Sequence, residues 1–172
     1  MQYRTDPLSR NDLRQYALRI RENLGLAQTL KFPVLQVLES FPFLLADLDF
    51  YYELVDDLPS GIHAQYRHGE KCILIKSNVY EGAVKGVGRD RMTITHELSH
   101  ALLLQHSGIQ LHRCFDNTTK LKAYEDPEWQ AKCLAGELMI PANLVKGMLC
   151  QDVVRFCGVS MDAAKFQLSK IK

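Results

Sequence analysis

The stretch "RMTITHELSHALLLQH" (residues 91–106) constrains this chain more than any other, because it sets His96, Glu97 and His100 in the order H-E-x-x-H. Successive residues of an α-helix turn by about 100°, so histidines at i and i+4 stand about 40° apart and can reach one ion. Glu97 lies about 100° from His96 and flanks such an ion without needing to bind it. Two neutral imidazoles, an open position for water and a carboxylate that can take that water's proton are the requirements of zinc hydrolysis. Ile94, Leu98, Ala101 and Leu102 add an apolar stripe that fixes the helix against a core. The bare pentapeptide also arises by chance on solvated helices, so the reading depends on a third protein ligand elsewhere.

Two residues compete for that place. His106 completes the spacing H-E-x-x-H-x-x-G-x-x-H, but the glycine that lets such a helix stop sharply is Leu103 here, within "ALLLQ". A helix that continues turns His106 about 120° away from His100. The other candidate is Glu128, in "YEDPEWQAKCLAGELMIP" (residues 124–141). There Asp126 is an expected N-cap, Pro127 suits the first helical position, and the helix dipole favours an ionised Glu128 in the first turn. Ala131 and Ala135 share its face and admit a neighbouring helix closely, whereas Glu137 lies half a turn round and cannot address the same metal.

The rest of the chain places these segments in an α+β order. "LSRNDLRQYALRIRENLG" predicts an amphipathic helix with a Ser9/Asp12 capping box, core positions at Leu13, Ala17, Ile20 and Leu24, and a stop at Gly25. "FPVLQVLESF" predicts a shorter helix with Pro33 in its first turn. "DFYYELV" predicts a strand, and "IHAQYRHGEKCILIKS" a hairpin turning near His68–Gly69. "EGAVKGVGRD" is expected to be a connection ending with Asp90 as N-cap of the motif helix. Two helical segments follow, "DPEWQAKCLAGELM" and, from about Ser160, "SMDAAKFQLSKI". Helices, a small sheet, then helices define the class.

With 172 residues, the expectation is one domain over 1–172, including a C-terminal helical segment from about 142 to 172. The 21 Lys and Arg against 20 Asp and Glu give a net charge of +1, which leaves no excess to seek nucleic acid. Charges interrupt every apolar run before it could span a bilayer, and "MQYRTDPLSRNDLRQ" lacks the apolar core of a secretory signal. A cytosolic protein with no membrane partner is expected. The five cysteines, odd in number and without a C-x-x-C pair, are read as reduced and mostly buried.

"RMTITHELSH" resembles the R-F-T-x-x-H-E-x-G-H signature of the ImmA/IrrE family of metallopeptidases. "DPEWQAKCLAGELMIP" is similar to that family's E-W-Q-A-N-x-F-A-A-E-L-L-M-P, and "RFCGVSMDAAKFQL" to its closing F-G-V-S-x-x-A-A-x-x-R-L. The resemblance implies a minimal zincin-like fold and a zinc (Zn2+) endopeptidase whose protein substrate is a regulator, typically a helix-turn-helix repressor. It assigns His96, His100 and Glu128 as metal ligands and Glu97 as the catalytic residue. Ser99, Met92, Lys132 and Leu134 depart from the pattern where the family has Gly, Phe, Asn and Phe, and none is a ligand position. The rival reading is a non-catalytic partner of a repressor or an antitoxin-like regulator, with a structural zinc. Glu97 weighs against it, since a structural site has no use for that carboxylate.

Among the remaining polar residues, His106, His112, Arg113 and Tyr124 could offer a donor to a developing oxyanion, with surface or packing roles as the simpler reading. Trp129 and Cys133 are expected in the core, and His63 and His68 in solvent. "CILIKS" is expected either at a sheet edge, where it could pair with an extended substrate, or inside the sheet.

Overall fold

A computed structural model describes residues 2–44, 50–106, 111–114 and 121–171. The side chains of His106, His112, Arg113 and Cys114 lie outside the described part. Strand β1 (Gln2–Thr5) leads into helix α1 (Arg10–Asn23), then α2 (Val34–Leu44), β2 (Tyr51–Val55), β3 (Ala64–Arg67) and β4 (Cys72–Lys76). Helix α3 (Ser77–Val84) precedes the motif helix α4 (Gly88–Ala101), which runs on as a π-helical turn over Leu102–His106. Strand β5 (Leu111–Cys114), a 3-10 turn (Ala123–Glu125), and helices α5 (Pro127–Met139), α6 (Ala142–Val145), α7 (Cys150–Cys157) and α8 (Met161–Leu168) complete the order.

Local chemistry accounts for several boundaries. Ser9 and Asp12 form the reciprocal capping box at the start of α1, whose Leu13, Ala17 and Ile20 are buried. Gly25, at φ +70°, takes the left-handed conformation just beyond its end. The predicted connection over 81–90 is instead largely helix. Val79 and Ala83, one turn apart, anchor α3 in the core, and Gly82 lies inside it where a Cβ would collide with the Asp90 carboxylate. Only Gly86, at φ +84°, makes the turn. Asp90 therefore sits in the first turn of α4, while Val87 holds the N-cap position without a side-chain bond.

The three-stranded sheet has the order β2-β4-β3, with β2 parallel and β3 antiparallel to β4. "CILIKS" is thus the internal strand, correcting the edge alternative: Ile73 and Ile75 face the main core, Cys72 and Leu74 a smaller cluster with Leu58. Being covered on both faces, β4 is apolar at four successive positions. The edge beside the motif helix is β3, which packs on α4. A second pairing, β1 with β5, joins the N-terminal strand to the segment after the motif helix.

Helix α5 is the central support. Ala131, Leu134, Ala135 and Leu138 are buried where it packs against α4 and α1. On the α1 side, buried Glu137 accepts hydrogen bonds from Arg14 at 2.9 and 3.1 Å and is paired with Arg10 at 3.4 Å. Arg21, also buried, donates to the Leu138 and Thr29 carbonyls. Among the described residues, no helix is long and apolar enough to cross a membrane.

Candidate metal centre

His96 and His100 extend from one side of α4 with their Nε2 atoms 3.2 Å apart and their rings nearly perpendicular. Ser99, between them in sequence, is buried, and its hydroxyl donates back to the Thr95 carbonyl at 2.7 Å, so a small polar residue replaces glycine without an orphaned group. The Tyr66 ring stacks on His100 at 6.4 Å, within 8° of parallel.

The third donor comes from the start of α5. The Asp126 side chain accepts the Glu128 N–H at 3.0 Å, with Pro127 at the first helical position. Buried Gln130 ties this end down by donating to the Asp6 and Tyr124 carbonyls at 2.7 and 2.8 Å. The Glu128 carboxylate then spans both imidazoles, Oε2 lying 3.2 Å from His96 Nε2 and Oε1 3.3 Å from His100 Nε2. The hydrogen bonds to His100 and His96 hold Glu128 well below the usual carboxylate range. One atom from each residue lies within 4.8 Å of the others, the spacing of ligands around one ion. The residues fit a divalent metal: two imidazoles and an ionised carboxylate converge from two helices and leave a side open to solvent.

Glu97 stands outside this set. Its Oε2 accepts the Tyr66 backbone N–H at 2.7 Å, so the edge strand β3 fixes the carboxylate. Burial pushes Glu97 up to about 7, with His96 and the Tyr66 N–H pulling it partly back. Glu97, His100 and Glu128 line a cleft of about 920 Å³ that continues along Ile62, Tyr66 and His68 to Tyr3.

The structure brings His96, His100 and Glu128 together and sets Glu97 beside them in the cleft lining. Glu137 is excluded by its buried pairing with Arg14. The helix does not stop at Leu103 but continues to His106, although the His106 side chain is not described. Tyr124 is exposed and lies outside the cleft lining, its carbonyl occupied by Leu8 and Gln130. Trp129 packs partly buried on the core and Cys133 is buried, as expected. His63 and His68 are exposed, yet His68 borders the cleft. Tyr66 was not legible as a site residue: it meets Glu97 across 31 positions, through a strand register that periodicity does not specify.

No curated protein matches the chain in sequence. Among solved structures it is similar to a Mycobacterium tuberculosis transcriptional regulator, with 15% identity and a TM-score of 0.63, over 92% of this chain and 46% of that one. The chain thus spans less than half the length of that protein, and a likeness at this identity speaks for the fold alone. The family model Peptidase_M78, described as the IrrE N-terminal-like domain, matches residues 57–169, a span that holds the paired histidines, Glu97, Glu128 and the closing α7–α8 segment. With α4 and α5 presenting two imidazoles and a carboxylate to one point, this chain belongs to the IrrE N-terminal-like family of metallopeptidase domains.

Proposed function

We propose that this chain is a zinc-dependent endopeptidase, with His96, His100 and Glu128 as the metal ligands and Glu97 as the general base. The observation that carries the reading is the position of Glu97: a carboxylate beside the ligand set, held by a backbone N–H and not by the ligands, facing a large cleft. Zinc bound by two imidazoles and one carboxylate would supply Lewis acidity toward a peptide carbonyl and toward water. Glu97 takes the proton of the attacking water and returns it to the departing amine. Tyr66 contributes its N–H to hold Glu97 and its ring to hold His100. Strand β3 has one strand partner among the described residues, and an extended substrate can lie along its other side.

A structural zinc has four protein ligands. The described donors here are three, which favours hydrolysis over the interaction-module reading. For the substrate we propose a DNA-binding regulator of the helix-turn-helix type in the cytoplasm, in keeping with the family resemblance and with a structural neighbour that is a transcriptional regulator. The test is co-expression with a candidate helix-turn-helix regulator from the same source, followed by mass analysis of that regulator. A cleaved regulator is expected with the native chain and an intact one with Glu97→Gln, which keeps the side chain's shape but not its basicity. Equal cleavage by both would remove Glu97 as the base.

A further inference from the structure

The metal centre opens on two sides that differ in chemistry. Among the described residues, the cleft along β3 has no lysine or arginine in its lining, and its carboxylates are Glu97 and Glu128. On the other side, His96 and Glu128 border a second cavity of about 420 Å³, with Arg89 and Lys132 in its walls beside Met92 and Ala135. Met92 and Lys132 recur in a further depression of about 340 Å³ together with Ile140, Ala163 and Phe166. Two cavities that share two side chains form one groove, running from the metal ligands past two cations to an apolar end on α8.

Among the described residues, Arg89 and Lys132 form no ion pair. The Arg89 guanidinium lies 2.9 Å from His63 Nε2, a contact that orients it without supplying a negative charge. No carboxylate pairs with Lys132 among the described residues, and Glu128, the acidic group of the first cavity, is committed to the ligand set. At the far end the half-exposed Phe166 ring has Lys170 5.3 Å from its centroid and Arg10, itself paired with Glu137, at 5.7 Å. Two of the four departures from the family's sequence pattern, Met92 and Lys132, line this groove, whereas Ser99 and Leu134 are fully buried in the packing of α4 and α5. Two departures from the pattern thus lie in a cavity wall beside the metal ligands.

We propose that this groove is a substrate-reading site, resting on the peptidase reading above: it takes an acidic side chain of the polypeptide substrate between Arg89 and Lys132, next to the metal. A bulky apolar side chain two residues away in the substrate sits beyond it against Met92, Ala163 and Phe166. Side chains of an extended chain alternate between faces, so residues i and i+2 share a face about 6.6 Å apart and can occupy the two parts. Selectivity for charge is assigned to this side of the metal, where Arg89 and Lys132 stand beside the ligands.

The test uses the full chain with zinc and two fluorescein-labelled degenerate peptide pools, identical except for a central Leu-Xaa-Glu-Xaa-Leu or Leu-Xaa-Lys-Xaa-Leu, with Xaa degenerate. Binding to Glu97→Gln is read by anisotropy and cleavage by the native chain is read by mass spectrometry. The Glu pool is expected to bind about tenfold more tightly, the effect of two solvent-facing cations. Adding Lys132→Glu should remove or invert that preference, and Ala163→Trp should weaken both pools by filling the apolar end. Equal binding of the two pools, or a preference that survives Lys132→Glu, overturns the groove proposal. Charge-selective binding without any cleavage would instead leave the groove in place and count against the peptidase reading.

Discussion

Arg91 opens the motif stretch, but its role is in the packing of α4. Its buried guanidinium donates to the Phe32 carbonyl at 2.6 Å and the Cys157 carbonyl at 2.9 Å, and also to that of Gly158. One side chain thereby joins the start of α4 to the entry of α2 and to the end of α7. Hydrogen bonds from a charged donor contribute about 1.5–3 kcal/mol. Arg91→Ala should therefore lower unfolding free energy by about 3 kcal/mol, measured by urea denaturation, while zinc stoichiometry stays at one per chain. Loss of zinc with unchanged stability would place Arg91 in the metal site instead. The ligand assignment is tested separately by zinc titration: Glu128→Ala should bind zinc far more weakly, and His106→Ala almost as tightly as the native chain. The opposite pattern would restore His106 as third ligand. His96, Glu97 and His100 were legible because helical spacing converts sequence separation directly into direction. Glu128 was legible through its cap, its first-turn position, the small residues on its face and the family resemblance, whereas the Tyr66–Glu97 bond depends on where β3 lands against α4.

At the scale of elements, α4 is positioned by what it starts against. A Cβ on Gly88 would lie 2.7 Å from the Val159 carbonyl carbon and 2.8 Å from the Ser160 nitrogen, both backbone atoms of the α7–α8 corner. The first residue of the motif helix must be glycine for this approach, and Val159 itself is buried. Gly88→Ala should therefore destabilise by about 1–3 kcal/mol, the range for overpacking, although alanine is the better helix former. Thermal unfolding checks this, and an unchanged or raised midpoint would show that the corner yields. The same glycines made α3 illegible. Gly82, Gly86 and Gly88 together suggest a loop, but only Gly86 has a positive φ, and the other two mark close approaches. Helices α1 and α5 were readable because their caps and buried stripes agree. The β1–β5 pairing was not, since it joins four-residue strands over 100 positions apart, too short for a periodic signal.

For the molecule as a whole, the metal site bridges α4 and α5, two helices already held by an apolar core that includes Ile94, Leu98, Ala131, Leu134 and Leu138. Helix α5 is tied independently to α1 through Glu137 with Arg14 and through Arg21 with the Leu138 carbonyl. The fold should consequently form without metal, unlike small zinc domains in which binding energy is folding energy. A metal that binds only the folded state still adds stability, about 4 kcal/mol when free zinc is 1,000 times its dissociation constant. Calorimetry should thus show a cooperative transition in the chelated protein and a higher midpoint with zinc. Glu128→Ala should retain the chelated transition and lose most of the zinc increment, because one of three ligands is gone. Gly88→Ala should do the reverse, starting from a lower midpoint and keeping the full increment, because its backbone clash lies at the opposite end of α4 from His100. A chelated chain that fails to fold would instead make the zinc structural, and would favour an interaction module over the peptidase.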